Sequence, residues 1–248
     1  MIEILNLKKN FGDKQVLDGV SAKFEDSNNS LIIGASGTGK SVLLKCIVGL
    51  IKPDSGDVLF DGRSLYKSPT KVVKNIRREM GMLFQGGALF DSLTVAENVR
   101  FPLDMVVRTM TDSEKADQVM HCLMRVGLEQ AANKKPAELS GGMKKRVGIA
   151  RAIVMNPKYL FCDEPNSGLD PMTSIKIDEL ISEITDEYKM TTIVVTHDMN
   201  SVMGIGEYVM FLYNGLKEWE GDSKSILHAQ SQPLKDFVFA SKIMEGLL

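Results

Sequence analysis

The sequence predicts an α/β fold in which most strands run parallel. Short apolar segments typical of buried strands alternate with helical patterns through the second half of the chain. A glycine-rich turn joins one such strand to a helix, and the beginning of the chain alternates apolar and polar residues as a hairpin does. Alternation of strand and helix indicates a parallel sheet. The strands predicted in this sheet are residues 31–33, 158–162, 191–196 and 208–213.

The first two segments are predicted to form a hairpin at the edge of the fold. Residues 2–7 and 16–24 both alternate apolar and polar side chains, and the turn-like Phe11-Gly12-Asp13 lies between them. The pattern then changes to a strand at residues 31–33, a glycine-rich turn and a helix over residues 40–50. This order of strand, loop and helix is the context in which phosphate-binding loops occur.

The middle of the chain is predicted to be helical. Helical patterns dominate between residues 94 and 155, including 112–126 and, after the cap-like Ser140, 143–155. A further helix is predicted over residues 171–188, between two strands of the sheet. We therefore expect a single domain over residues 1–248. It should contain a helical subdomain at approximately residues 86–155 and a short helical tail at residues 222–248.

Composition points to a folded protein. Apolar residues make up 44% of the chain and charged residues 25%, which excludes a disordered or fibrous class. The net charge of −2 gives no support for nucleic-acid binding. The apolar runs are far shorter than the roughly 20 residues that span a bilayer, and the start lacks the pattern of a signal peptide. We therefore expect a cytoplasmic protein whose scattered Cys46, Cys122 and Cys162 are reduced core residues.

The glycine-rich turn matches the phosphate-binding pattern G-x-x-x-x-G-K-[ST], which indicates ATP or GTP binding. Glycines let backbone N–H groups turn inward around phosphates, and the following helix N-terminus adds a favourable dipole. Lys40 is expected to contact the β- and γ-phosphates, and Ser41 to bind Mg²⁺. The matching residues are Gly34, Ala35, Ser36, Gly37, Thr38, Gly39, Lys40 and Ser41.

A second acidic element follows the predicted strand at residues 158–162. Asp163 and Glu164 end an apolar segment, as in a Walker B segment. Asp163 is expected to serve Mg²⁺, and Glu164 to act as the general base that activates the attacking water. Two carboxylates at a strand end are more often a solvated turn when they stand alone. Together with the phosphate-binding loop, they favour hydrolysis.

The segment Leu139-Ser-Gly-Gly-Met143 resembles the signature motif of ATP-binding-cassette (ABC) ATPases. Further residues match motifs of that family in the same order along the chain. They are Phe11, where the family has an aromatic that stacks on adenine, Gln85 of the Q-loop, residues 167–170 of the D-loop, and the switch histidine His197. Gly168 departs from the family pattern, which usually has Ala.

This resemblance implies the ABC ATPase fold, which is a P-loop NTPase fold. It has a RecA-like core, an N-terminal antiparallel β-subdomain and a helical signature subdomain. It also implies a head-to-tail homodimer, in which the signature residues bind the γ-phosphate held by the opposite subunit. The implied catalytic residues are Glu164, His197 and Gln85, and the implied Mg²⁺ ligands are Ser41, Gln85 and Asp163. Beyond the phosphate loop, the implied nucleotide-binding residues are Phe11, Ser140, Gly141, Gly142 and Asp170.

Residues 82–103 resemble a narrower group, the ATPases of Mla/Mce-type phospholipid transporters. The residues 85–91 and Met143, where most relatives have Gln, carry this resemblance. It implies integral-membrane permease subunits, a small regulatory subunit and an Mce-domain lipid-binding protein as partners. The chain would then lie on the cytoplasmic face of the bacterial inner membrane. The tail around residues 236–240 matches only loosely.

Other interpretations stay open. Another transporter ATPase, for amino acids, metals or lipoproteins, fits the same motifs, and a soluble ABC protein of translation, DNA repair or iron–sulfur assembly is less favoured. Leu89, Phe90 and Leu93 could receive a permease helix or could fill the local core. The basic run at residues 144–146 is interpreted as a solvated helix face.

Overall fold

The computed structural model describes residues 1–240. The chain divides into two compact units: residues 1–77 together with the described residues from 191 onward, and Arg78–Met190. In chain order the elements are β1 (Ile2–Phe11), β2 (Lys14–Phe24), β3 (Asn29–Ile33), α1 (Lys40–Ile47), β4 (Ser55–Phe60), β5 (Arg63–Ser64), α2 (Thr70–Arg78), β6 (Met80–Leu83), α3 (Val95–Val106), α4 (Asp112–Arg125), α5 (Gly141–Ile153), β7 (Tyr159–Asp163), α6 (Pro171–Tyr188), β8 (Thr191–Val195), α7 (Met199–Ile205), β9 (Tyr208–Tyr213), β10 (Leu216–Gly221) and α8 (Gln232–Ala240). Short 3-10 helices occupy Glu129–Ala131, Pro136–Glu138 and Ser225–His228.

The first unit contains an antiparallel sheet in the order β2-β1-β4-β5. Strands β1 and β2 pair from Ile2↔Phe24 to Phe11↔Lys14, so the predicted hairpin is confirmed, with longer strands than expected. Ile2, Ile4 and Phe24 are fully buried or nearly so, because alternate residues of a strand point to one face. This sheet is the antiparallel β-subdomain that the sequence predicted.

The same unit contains the strands that position the phosphate-binding loop. Strand β3 pairs in parallel with β8 on one side and with β9 on the other, and β10 is antiparallel to β9. Every residue of β3 and β8 is buried, as expected for parallel strands covered on both faces. Because Ile32 lies opposite Val195, the carboxyl ends of β3 and β8 meet at one edge. The glycine-rich loop and His197 follow these two ends.

The second unit combines the parallel pair β6 and β7 with helices α3 to α6. Helix α5 packs closely on β6, because glycines remove the side chains that would separate them. A Cβ atom on Gly148 would lie 2.6 Å from Leu83 Cδ1, and one on Gly81 only 2.2 Å from the carbonyl oxygen of Ala152. The register of β6 and β7, with Leu83 opposite Cys162, brings the two segments that follow these strands to the same edge.

Most predicted elements are confirmed within a few residues, and the deviations have local causes. Helix α1 ends at Ile47 rather than Leu50, because Gly49 adopts a positive φ of 75°, and Leu50 is 58% exposed. The sequence did not predict β4, β5, α2, β6, α7 or β10. Cys46, Cys122 and Cys162 are buried, as predicted.

The carboxyl-terminal segment begins with the Ser225–His228 turn and α8, and the rest of the predicted tail, residues 241–248, lies outside the described residues. Within residues 1–240, no helix combines the length and apolar character that crossing a bilayer requires. The predicted helical subdomain falls within the second unit.

Candidate active site

The loop at residues 34–39 has a backbone that only glycine can adopt at several positions. Gly34, Gly37 and Gly39 have positive φ angles of 150°, 81° and 105°. A Cβ atom on Gly34 would lie 2.4 Å from the carbonyl oxygen of Leu212, and one on Gly39 would lie 2.9 Å from that of Val16. The loop is therefore held tightly against neighbouring backbone at Gly34 and Gly39.

Lys40 lies inside this loop. It is the first residue of α1 and is only 6% exposed. Its ammonium donates hydrogen bonds to the carbonyl oxygens of Gly34 at 2.8 Å and Ala35 at 2.9 Å. A buried cation, glycine backbone and a helix N-terminus together fit a polyphosphate, which is the group that the loop sequence predicts. Ser41, the next residue, is half-buried.

Phe11 and His197 are the other predicted site residues of the first unit. Phe11 ends β1 with its ring 49% exposed, and the Lys9 ammonium lies 5.3 Å from the ring centroid. An exposed aromatic face at this position can stack on a purine ring. His197 is exposed and lies two residues beyond the last residue of β8. The first unit thus brings His197 and the phosphate loop to the same edge of its sheet.

Asp163 and Glu164 lie at the corresponding edge of the second unit. Asp163 is the last residue of β7 and is 5% exposed, and Glu164 follows with a left-handed φ of 50°. Gln85 lies two residues beyond β6, the strand parallel to β7, and is exposed. Asp163, Glu164 and Gln85 therefore belong to one cluster at this edge of the second unit.

Lys145 is buried, so the prediction that residues 144–146 form a solvated helix face is wrong at this position. It is 5% exposed, and its ammonium donates to the carbonyl oxygen of Gln85 and, at 3.2 Å, to that of Glu164. Burial lowers the pKa of Lys145. Helical spacing could have identified it, since Lys145 lies three residues from Gly148 and seven from Ala152 on the face of α5 that packs against β6.

Arg151, further along α5, binds the same loop. Its guanidinium donates to the carbonyl oxygens of Gly87 at 2.6 Å and Ala88 at 2.8 Å, and burial lowers its pKa. Sequence reasoning did not identify this residue. Helix α5 therefore binds the loop after β6 at three backbone carbonyls, those of Gln85, Gly87 and Ala88.

The signature residues and Asp170 meet in one groove of the second unit. Ser140 caps α5 by accepting a hydrogen bond from the Met143 N–H at 3.3 Å. Asp170 caps α6 and accepts from the N–H and hydroxyl of Thr173 at 3.0 and 2.6 Å, which lowers the pKa of Asp170. A Cβ atom on Gly142 would lie 2.7 Å from Thr173 Cγ2, so glycine allows the two helix beginnings to approach.

Gly168, the departure from the usual D-loop alanine, has a structural reason. Its φ is +80°, and no atom lies within 4 Å of the place where a Cβ would stand. The restriction is therefore one of backbone conformation and not of space.

The predicted Mg²⁺ ligands Ser41 and Asp163 supply oxygen atoms, each within its own unit. Among residues 1–240, no group of three or more His, Cys, Asp and Glu side chains is arranged to hold a metal ion. Ser41 supplies a hydroxyl in the first unit, and Asp163 a carboxylate in the second. Oxygen ligands of this kind suit Mg²⁺, which commonly binds through one or two protein groups plus phosphates.

A family model described as ABC transporter matches residues 17–167, which include the phosphate loop, the signature segment and Glu164. The chain belongs to the ABC transporter family. It is an ATP-hydrolysing subunit of that family and binds ATP with Mg²⁺.

Relatives of this ABC ATPase carry different cargo names. The probable ribonucleotide transport ATP-binding protein mkl of Mycobacterium leprae is 36% identical, over 98% of this chain and 70% of that protein. The methionine import ATP-binding protein MetN of Carboxydothermus hydrogenoformans is 41% identical, over 96% of this chain and 71% of that protein. The intermembrane phospholipid transport system ATP-binding protein MlaF of Haemophilus influenzae is 35% identical, over 96% of this chain and 90% of that protein. These relatives share the family with this chain and differ from one another in the cargo that their names give.

Solved structures agree with the fold. The dimeric ATP-binding cassette MJ0796, in a post-hydrolysis state bound to ADP and Pi, has a TM-score of 0.81 and 35% identity to this ABC ATPase. The match covers 90% of this chain and 99% of MJ0796.

Proposed function

We propose that this ABC ATPase powers a bacterial inner-membrane permease of the Mla/Mce phospholipid type. In this proposal the chain lies on the cytoplasmic face and acts as a homodimer around two MgATP molecules. Residues 34–41 of one copy and Ser140, Gly141 and Gly142 of the other enclose each nucleotide. Phe11 stacks on the adenine, and Asp170 belongs to the contact between the two sites.

The proposed hydrolytic roles follow from the chemistry of each group. Lys40 contacts the β- and γ-phosphates, while Ser41, Asp163 and Gln85 serve the Mg²⁺. Glu164 accepts the proton of the attacking water, and His197 and Gln85 orient that water. The bound metal supplies charge stabilisation to the transferring phosphoryl group. The left-handed backbone at Glu164 supports this assignment, because such strain concentrates at functional sites.

A shared site is supported by the groove at the signature residues. The beginnings of α5 and α6 both open there, and a helix N-terminus favours an anion. The dimeric assembly of MJ0796 supports the same arrangement for this chain. Two copies in a two-fold dimer would each supply half of both sites.

An exposed apolar patch beside Gln85 carries the proposal of a permease partner. Phe90 and Phe101 are 42% and 37% exposed with ring centroids 4.6 Å apart, and Met105 is 67% exposed. Leu89 and Leu93 are half-buried, so they belong partly to the local core. Contiguous apolar surface of this kind marks interaction sites.

Asn98 makes this patch rigid. It is fully buried, accepts a hydrogen bond from the Phe90 N–H at 2.8 Å, and donates to the carbonyl oxygens of Phe90 and Thr94 at 3.1 and 2.9 Å. A preformed surface reduces the entropy lost on binding. A helix of the permease seated on the patch would lie within a few residues of Gln85, which links cargo movement to the nucleotide site.

The phospholipid assignment rests on the resemblance of residues 82–103 and on the similarity to MlaF of Haemophilus influenzae. It predicts an Mce-domain lipid-binding protein and a small regulatory subunit in the same complex. The identity to MetN favours methionine import as the second candidate, for which a substrate-binding protein would replace the Mce-domain protein.

The decisive experiment is to express a tagged chain in its native host, purify it from detergent-solubilised membranes and identify its companions by mass spectrometry. Recovery of a permease with an Mce-domain protein, and ATPase stimulation by phospholipid after reconstitution, are the expected results. Recovery of an amino-acid-binding protein would overturn the lipid assignment while leaving the ATPase intact.

A variant pair tests the apolar patch within the same purification. Phe90→Ser should lose the permease from the purified complex, since it removes half of the aromatic pair. Met120→Ser, which changes a residue of matched 40% exposure on α4, should keep it. Equal recovery of the permease with both variants would show that the patch is not the docking surface.

A further inference from the structure

Helix α5 holds the segments that carry two of the proposed hydrolytic groups. Lys145 donates to the carbonyl oxygens of both Gln85 and Glu164, which follow neighbouring parallel strands. The ammonium therefore bridges two segments that are 79 positions apart in sequence yet lie at one edge of the sheet. The roles proposed for Gln85 and Glu164 do not explain why a lysine is buried at position 145.

The carbonyls that α5 binds include those of strained residues. Ala88 and Glu164 have left-handed φ angles of 44° and 50°, as do Asn156 and Lys189 in the same unit. Arg151 donates to the first and Lys145 to the second. A non-glycine residue keeps such a conformation only when its surroundings determine it. Arg151 and Lys145 are part of those surroundings, because each holds the carbonyl of one of these residues.

Burial of Lys145 is costly, so its hydrogen bonds must compensate. A buried ammonium loses its hydration, and Lys145 is only 5% exposed. An apolar side chain at this position would pack without that cost.

We propose that Lys145 is a positioning residue for ATP hydrolysis, because it fixes the backbone of Gln85 and Glu164 relative to α5. The proposal rests on the roles proposed above for these two residues. Lys145 itself touches no reacting atom. The helix that begins at the signature residues thus sets the place of the water-activating groups in its own subunit.

The test compares steady-state ATPase kinetics of the full chain and its variants at saturating Mg²⁺. Lys145→Met removes the donor and keeps the length of the side chain, and kcat should fall about 10²-fold, the effect of a misplacement near 1 Å. The KM for ATP should stay within about twofold of the wild-type value. The contacts that bind ATP equally in the ground state and the transition state are not changed. Lys145→Gln retains an N–H donor and should recover most of the lost kcat.

A matched control separates positioning from loss of stability. Lys115 is similarly buried, being 9% exposed, lies on α4 in the same unit and donates to Asp104 at 2.9 Å. Lys115→Met should keep the wild-type kcat, with any cost appearing only in the melting temperature. If Lys145→Met does not fold, Lys145→Leu repeats the removal of the donor with a shorter side chain.

A double variant identifies the path of the effect. In a Glu164→Gln background, Lys145→Met should lower the residual kcat far less than it does alone, because both changes act on one group. A multiplicative loss, a wild-type kcat in folded Lys145→Met, or no recovery with Lys145→Gln would each overturn the positioning role. Wild-type activity of Glu164→Gln alone would instead overturn the proposed base.

Discussion

Two regions of this protein contain residues with left-handed backbone, and the residue types differ between them. In the phosphate loop, residues 34–39, the left-handed positions are glycines packed against neighbouring carbonyls. In the loop after β6, Ala88 takes this conformation next to Gly87, and Glu164 takes it after the end of β7. Their carbonyls accept hydrogen bonds from Arg151 and Lys145 of α5. The phosphate loop has glycine at its left-handed positions, whereas Ala88 and Glu164 are not glycines and have their carbonyls bound by side chains of α5.

This difference has a physical consequence for ATP binding and hydrolysis. A loop whose glycines pack against the backbone of β9 and β2 is placed by those strands, and its free choice of φ suits a cradle for phosphates. A loop that depends on hydrogen bonds from a helix follows that helix. The water-activating groups of the second unit are therefore placed by α5, which also begins with the signature residues.

The largest effect should come from adding one methyl group to the phosphate loop. In Gly34→Ala the new Cβ would lie 2.4 Å from the carbonyl oxygen of Leu212, so the loop must move away from β9. The backbone strain alone costs about 2 kcal/mol. We expect no saturable binding of a fluorescent ATP analogue at millimolar concentration. ATP binding of wild-type affinity would contradict the glycine-shaped loop.

A second glycine provides the control for Gly34→Ala. Gly62 also has a positive φ, of 74°, but no atom lies within 4 Å of the place of a Cβ, and it lies in the turn between β4 and β5. Gly62→Ala therefore introduces conformational strain without a clash. ATP binding should be unchanged in this variant, with a small decrease in melting temperature.

The second prediction concerns Glu164, whose carbonyl oxygen accepts a hydrogen bond from Lys145. Glu164→Gln keeps the shape of the side chain and removes the proton acceptor, so kcat should fall about 10³-fold. ATP binding should persist, and ATP-dependent dimers should accumulate in size-exclusion chromatography. Glu129→Gln, an exposed change in the same unit, should behave as wild type. Unchanged phosphate release by Glu164→Gln would remove Glu164 from the role of base.

Local patterns made much of the fold predictable from the sequence. The phosphate loop was predicted because its chemistry needs glycines, lysine and serine at fixed neighbouring positions. Helix α6, Pro171–Tyr188, was predicted with the correct bounds, since Asp170 at the cap and Pro171 in the first turn mark its beginning. The parallel arrangement of β3, β8 and β9 also followed from the pattern of strands and helices.

Features that depend on distant contacts were missed. Strand β6 has only four residues, Met-Gly-Met-Leu, and forms because glycines at 81 and 148 let α5 approach it. Lys145 was assigned to solvent because the basic run at residues 144–146 does not reveal which carbonyls lie above the helix. Such carbonyls belong to strand ends about 20 and 60 positions away in sequence. The roles of the site residues themselves stay predictions until the variants are measured.

The smallest predicted effect reverses the change made at Gly34. Ala88→Gly places glycine at a left-handed position of the loop held by α5, which relieves about 1 kcal/mol of backbone strain and adds a similar entropy to the unfolded chain. The melting temperature should shift by no more than about 2–4 °C. Because Arg151 still binds the carbonyls of residues 87 and 88, kcat should also stay near wild type. A large loss of kcat would mean that the alanine side chain, rather than the hydrogen bonds from α5, shapes this loop.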